Sequence, residues 1–402
     1  MSGVLSALLL LLQVAVAMRG PSDLALLIAG AFAAGVAAFA LRPSSRHWPL
    51  RMLLVVLLAI SLGSPTDAWD SRSIWMFHAK RIFVDGTLFS QLDHYASWSH
   101  NDYPLLVPAL ASTIGVAIGG WNEIAPKSAA VFAMVPALLL VASMLRTTEA
   151  MLLFVLLLTG FAGTELVNGQ MDALLALNVG AVVLAAMAFA TGARSVDGGV
   201  RPVDGIAESA RSIRAALALA ATIPLVKNEG LLALLILAAV LVVFRSSRAR
   251  CKRAAPATAL AMLLVFAPAA AWQLAVLLAG IRNDLVRSDT AAKLFERMMD
   301  GASHALILDH LGKPAILTAA MIAVAWRYTS RRGGTDVAAA FATLYLASLY
   351  AVYLATPYDL QWHLTTSASR TTLLPLVVGA ACLAAALDRK PGARKVVTSS
   401  PG

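Results

Sequence analysis

"PLLVPALASTIGVAIGG", residues 104–120, is apolar and long enough for a membrane helix, and counting it as one reverses the orientation of everything that follows. Charge decides how it is read. If the stretch lies along the membrane interface, the short segments 42–51, 146–149, 192–212, 245–255 and 327–335 and the tail after 387 all fall on one side. Those segments carry more than half of the 32 Lys and Arg, including the runs "RSSRARCKR" (245–253), "RYTSRRGG" (327–334) and "DRKPGARK" (388–395). Short loops rich in Lys and Arg stay on the cytoplasmic side of a membrane. Read as a span, 104–120 would scatter them over both sides, so it is taken as interfacial.

Around this segment the chain is 59% hydrophobic and 13% charged over 402 residues, a balance that soluble domains do not show. Apolar runs near the length of a bilayer-crossing helix occur at 3–18, 23–41, 50–63, 127–145, 149–163, 171–191, 213–226, 228–244, 256–280, 314–328, 336–355 and 371–387. They are rich in Leu and Ala and do not alternate with period two, so helices are favoured over a barrel. The expectation is an all-α polytopic membrane protein forming a single transmembrane domain over 1–402. It has about twelve transmembrane helices, two of them extra N-terminal helices within 1–49, and interfacial helices in the first large outward loop, 64–126. Further outward loops are expected at 281–313 and 356–370. No basic residue precedes the first apolar run, which is therefore read as a span and not as a cleaved signal. The net charge of +10 is a topology signal, and no basic and aromatic cluster points to nucleic acid. The two cysteines, Cys251 and Cys382, define neither a disulfide framework nor a metal cluster.

Acidic, histidine and tryptophan residues concentrate on the outward side. In "GSPTDAWDSRSIW" (63–75), Gly63 ends one helix, Ser64 caps the next, Pro65 takes its first position, and Asp67 falls third, where a carboxylate favours the helix dipole. Asp70 has no such structural duty, and a charge beside lipid marks a site or a partner. Trp69, Met76 and Phe83 recur at seven-residue spacing, as an interfacial anchor would. Lys227 and Glu229 sit at the tip of a tight hairpin, "LVKNEGL" (225–231). In "TPYDLQWHLTTSASR" (356–370), His363 and Arg370 are candidates for holding a phosphate, which a guanidinium binds bidentately. Asp172 and Glu165 bring a second acidic pair to the same face. His100 and Asp102 lie in "SHNDYPLL" (99–106), where Tyr103 and Pro104 start the interfacial helix.

Taken in order, "DAWDSRSIWMFHAKRIFVDG" (67–86), "DYPLLVPALAS" (102–112), "GGWNEIAPK" (119–127), "VNGQMDALLALNVG" (167–180) and "LVKNEGLLALL" (225–235) resemble the integral-membrane glycosyltransferases of the GT-C type. The resemblance covers roughly residues 50–387. It implies a hexosyl- or pentosyltransferase with a polyprenyl-phosphate sugar as donor and a lipid or glycan as acceptor. A first-loop aspartate, Asp70 or Asp67, would accept the acceptor's proton while the lipid phosphate leaves the anomeric carbon. Substrate-binding candidates are Lys80, His100, Asp102, Tyr103, Asp172, Lys227, Glu229, His363 and Arg370. A divalent cation, if one is used, would fall to Asp70 and Asp172. The two spans before residue 50 are extra relative to the usual position of that loop. The expected location is a bacterial inner membrane, among its lipids, with the site facing the periplasm.

No GxxxxGK[ST] loop and no strand followed by GxGxxG is present, so a soluble nucleotide-sugar domain is not indicated. The seven histidines are too scattered to define a zinc site. The alternative from another class is a transporter or flippase of lipid-linked saccharides. Such proteins place charge at the bilayer midplane and show internal repeats, whereas here the span interiors are almost free of charge and the acidic residues sit at the outer ends.

Overall fold

Helices, joined by short turns, make up the whole of what the structure, a computed structural model, describes: residues 45–192, 203–246, 255–283, 289–329 and 333–388. The expected spans 3–18 and 23–41 lie outside the described residues, as does Cys251. In chain order the helices are α1 Trp48–Gly63, α2 Met76–Asp85, α3 Leu106–Ala117, α4 Ala129–Met144, α5 Thr148–Ala162, α6 Asp172–Gly192 and α7 Val203–Val226. There follow α8 Asn228–Ser246, α9 Ala255–Leu278, α10 Thr290–Met298, α11 Gly301–Tyr328, α12 Gly333–Ala355, α13 Leu360–Thr371 and α14 Leu373–Asp388. No strand occurs among the described residues.

Seven of these segments are long and apolar enough to cross a membrane: Ala125–Met144, Thr148–Leu166, Asp172–Ala190, Ala261–Leu278, Gly301–Tyr328, Gly334–Ala355 and Leu360–Asp388. Trp48–Gly63, Leu106–Ala117, Ser212–Val226 and Asn228–Phe244 are shorter apolar helices. Six of the seven sort into an inner and an outer set, with Gly334–Ala355, 44% buried, between them. Ala125–Met144, Asp172–Ala190 and Leu360–Asp388 are 78–83% buried inside the protein, while Thr148–Leu166, Ala261–Leu278 and Gly301–Tyr328 are only 22–33% buried. An apolar helix that stays open on most of its circumference is one that faces lipid. The central helix α6 packs against α4, α7, α12 and α14. Small residues allow this: a Cβ on Gly180 would lie 2.8 Å from Val377 Cγ1 of α14.

The segment that opened the sequence question, α3, has 12 residues. At 1.5 Å per residue it is about 18 Å long, too short for a hydrocarbon core of about 30 Å. Nine of its residues are buried against α2, α4 and α7. It is thus an internal layer of the outer loop and not a helix lying on lipid. It begins at Leu106, two residues after Pro104.

Three local expectations are corrected. Ser64 does not cap a new helix, since its backbone is extended and residues 65–67 belong to no helix, so Asp67 is not in a first turn. Ser64 Oγ instead donates back to Ile60 O at 2.7 Å, closing α1. The buried Lys127 ammonium spends its three donors on Ser64 O, Ser64 Oγ and Pro65 O at 2.8, 2.9 and 2.9 Å, which holds the segment straight. Second, Trp69, Met76 and Phe83 do not share a face: Trp69 is 60% exposed and Met76 2%. A π-helical turn, Ser71–Trp75, lies between them and rotates the register. Third, 356–370 is mostly the helix α13 and not a loop. Asp359 caps it by accepting from Trp362 N at 2.8 Å, and Thr366 and Ser367 hydroxyls return to carbonyls four residues back. The outward segment 281–313 likewise contains α10 and the first turns of α11, which starts at Gly301 and not at 314. At the opposite end, Asp388 Oδ1 accepts from both Arg146 N and Thr147 N at 2.7 Å, tying α14 to the α4–α5 turn.

The α7–α8 hairpin depends on one glycine. A Cβ on Gly230 would lie 2.3 Å from Ile223 O, a backbone atom that cannot swing away. Gly230→Ala should therefore cost at least about 1–3 kcal/mol, the scale of overpacking, and lower the melting temperature in detergent. Gly160→Ala, with nothing within 4 Å, is the control and should melt as wild type.

Candidate functional site

At one end of the bundle, the start of the first loop, the 163–170 turn, the α7–α8 turn and α13 converge on Asp172, the first residue of α6, which is 6% exposed. A carboxylate this deeply buried has to be paired. Lys227 Nζ, from the α7–α8 turn, reaches Asp172 Oδ1 at 2.8 Å and Glu229 Oε1 at 3.0 Å. Arg370, near the end of α13, brings its guanidinium to 3.9 Å from Asp172 Oδ2 and forms an ion pair with Asp70 Oδ2. Glu165, in the 163–166 turn, lies within electrostatic reach of Asp172, Arg370 and Asp70. The Gln170 side-chain amide donates to its carboxylate. The set holds four carboxylates and two cations, so it carries surplus negative charge at the edge of an apolar bundle.

Asp70 is delivered to this place by contacts around its helix start. Ser71 Oγ donates to Asn168 O at 2.6 Å. Gly169, with φ of +83°, lets the "VNGQ" turn press close: its Cβ would stand 3.0 Å from Lys127 Cγ and 3.4 Å from Ser71. Lys127 therefore supports the site from both sides, holding residues 64–65 with its ammonium and the 167–170 turn against its stem. The sequence reading gave Lys127 no role. Its signal was a single lysine just inside an apolar run, a place where a cation finds a partner or snorkels.

Beside the cluster is a second polar node. Asp102, 4% exposed, accepts from Asn228 Nδ2 at 2.6 Å and Asn283 Nδ2 at 2.7 Å, and its carbonyl accepts from Trp272 Nε1 at 2.9 Å. It fastens the first loop to α8 and α9, next in sequence to Lys227. Tyr103 stacks between Trp75 and His100, at 5.4 and 4.8 Å between centroids, and lies within electrostatic reach of Lys227. The structure thus brings Asp70, Asp172, Lys227, Glu229 and Arg370 together, with Asp102, Tyr103 and His100 adjoining.

The remaining candidates fall elsewhere. His363 stands two turns before Arg370, where its Nδ1 bonds Thr356 Oγ1 at 2.8 Å and its ring meets Tyr353 edge-on. It belongs to the base of α13, which Arg297 of α10 grips through Thr356 O at 2.6 Å and Tyr358 O at 2.8 Å. Asp67 and Lys80 line a separate cleft in which Asp70, Asp172, Lys227 and Arg370 take no part. Lys80 pairs there with Glu123 at 3.2 Å, and both are exposed. No three of His, Cys, Asp and Glu converge on a metal position among the described residues. Asp70 and Asp172, the pair a cation would use, instead share the Arg370 guanidinium, so these residues do not fit a hard cation that wants several oxygens.

The chain matches no protein-family model, no curated protein and no solved structure.

Two outcomes test this geometry. Lys227→Met leaves Asp172 buried without its nearest cation and should destabilise the protein by about 3–5 kcal/mol. Adding Asp172→Leu should restore most of that loss, read as a double-mutant cycle of melting temperatures. The second concerns the first loop. His78 is buried with Nε2 2.8 Å from Ser99 Oγ, and burial pushes its pKa down to about 3 from 6.5. It stays neutral in the fold while the unfolded chain takes up a proton, so stability is full above pH 6.5 and declines as pH falls from there toward 3. His78→Gln should flatten this decline in melting temperature against pH.

Proposed function

We propose that this chain is a membrane glycosyltransferase that moves a sugar from a polyprenyl-phosphate carrier to a lipid-linked or periplasmic acceptor, at the outer face of a bacterial inner membrane. The observation that carries the reading is the ion pair of Asp70 with Arg370, 300 positions apart, joined through Asp172 to Lys227 at the mouth of an apolar bundle. A donor whose carrier stays in lipid would bring its phosphate to such a charged cluster at the ends of apolar helices.

In this reading Arg370 exchanges Asp70 for the donor phosphate, the better bidentate match. Asp70, released, accepts the proton of the acceptor hydroxyl. The hydroxyl oxygen bonds to the anomeric carbon, the bond from that carbon to the phosphate oxygen breaks, and the lipid phosphate leaves with the electron pair. Arg370 and Lys227 offset the charge that develops on the leaving oxygen. Asp172 keeps both cations in position. No resident metal takes part in this account.

Asp70→Asn should abolish transfer while the protein remains folded and abundant. Arg370→Ala should mainly weaken the response to donor concentration. The assay is incubation of purified protein with a panel of lipid-phosphate sugars, read by mass spectrometry. A flippase would leave every glycosidic bond intact, and that result overturns the proposal.

A further inference from the structure

Apart from the charged cluster, whose residues do not line it, an open cleft of about 860 Å³ lies beside the start of the first loop and α2, within the range of small-molecule sites, about 300–1,000 Å³. One wall is aromatic: Trp69 and Trp98 stand 6.3 Å apart with their planes tilted by 55°, and Phe77 packs on Trp98 at 5.6 Å. Both tryptophans are more than half exposed. The rest of the lining is charged but balanced, with Asp67 and Glu123 against Arg72 and Lys80. Lys80 and Glu123 pair with each other. Among the described residues, Arg72 has no carboxylate partner and the Asp67 side chain no hydrogen bond.

These features select a ligand class. A bare lipid contact explains the tryptophans but not an Asp67 carboxylate without a hydrogen bond, its charge balanced at a distance by Lys127, and an Arg72 guanidinium without a carboxylate, facing the same space. A phosphate headgroup suits Arg72 and Lys80 but meets Asp67 and Glu123. A neutral ring that is apolar on its faces and hydroxylated at its rim satisfies all of them. Its C–H faces lie on the indoles, its hydroxyls donate to Asp67, and the same hydroxyls accept from Arg72. We infer that this cleft binds a neutral saccharide. Trp69 and Asp70 are consecutive residues, one turned into the cleft and the other toward Arg370. A glycan held on Trp69 therefore extends past the helix start toward Asp70, as the non-reacting part of an acceptor would. That acceptor role rests on the glycosyl-transfer reading; the binding itself does not.

The test uses the full chain in lipid nanodiscs on an array of neutral oligosaccharides built from hexoses and N-acetylhexosamines. At least one glycan should be retained, and its affinity should fall tenfold or more in Trp98→Ala and several-fold in Arg72→Ala. Trp98→Phe should recover most of it. Trp362→Ala, which removes another exposed tryptophan of the outer rim, should leave it unchanged. Retention of no neutral glycan, an equal loss in Trp98→Ala and Trp362→Ala, or competition by phosphatidylglycerol vesicles alone overturns the inference. Glycan binding lost in Trp98→Ala, without sugar transfer from any lipid-phosphate donor, keeps the cleft and rejects the enzyme. Transfer without glycan binding does the reverse.

Discussion

A carboxylate buried at the end of a membrane helix cannot stay ionised alone, and Asp172 organises the outer half of the protein around that constraint. Its two cations come from opposite parts of the chain, Lys227 from a hairpin tip and Arg370 from a short polar helix. Each cation then carries a further carboxylate, Glu229 on one side and Asp70 on the other. Because the partners are scattered in sequence, satisfying Asp172 draws α2, the α7–α8 turn and α13 to a common point. Apolar packing alone would leave these ends free to slide, since between lipid-facing helices there is little hydrophobic preference for one arrangement over another.

What holds this end in place is mostly hydrogen bonding of polar side chains to backbone oxygens. Lys127 secures residues 64–65, Ser71 secures Asn168, and Arg297 secures 356–358. Each of these oxygens belongs to a segment that lacks regular partners, and a buried carbonyl without a partner is costly. The outer loops are therefore stitched to the bundle at just the points where the chain leaves helical geometry. At the opposite end of the bundle, Asp388 accepts from two amides of the α4–α5 turn and so ties neighbouring helix ends together.

The helices themselves were readable from the sequence, because runs of Leu and Ala declare themselves without knowledge of the fold. So was the grouping of Asp70, Asp172, Lys227, Glu229 and Arg370 at one end of the bundle, which the parity of the apolar runs implies. Local rules failed where tertiary contacts competed with them. Ser64 followed by Pro65 is a sound helix start, yet Lys127, 63 residues on, claims the serine and keeps the chain extended. The seven-residue spacing of Trp69, Met76 and Phe83 assumed regular α-geometry, and a π-helical turn removed it. Lys80 and Asp67 share the sequence neighbourhood of Asp70 but line a cleft that Asp70 does not. Spacing cannot reveal that without the register shift.

Burial grades the charged cluster from interior to rim, and this separates its structural from its exchangeable parts. The side chains of Asp172 and Lys227 are 6% and 8% exposed, while those of Arg370 and Asp70 are 17% and 22%. Pulling apart the inner pair strands two charges in a poorly hydrated place. Opening the outer pair lets Asp70 turn to water, at a far smaller cost in hydration. The cluster also has more carboxylates than cations, so an incoming anion is resisted unless a carboxylate gives way. Asp70 is the carboxylate that pairs with Arg370 and faces the rim. Under the proposed chemistry the residue displaced by the phosphate is thus also the residue required as base, and a single exchange on Arg370 both seats the donor and frees the proton acceptor.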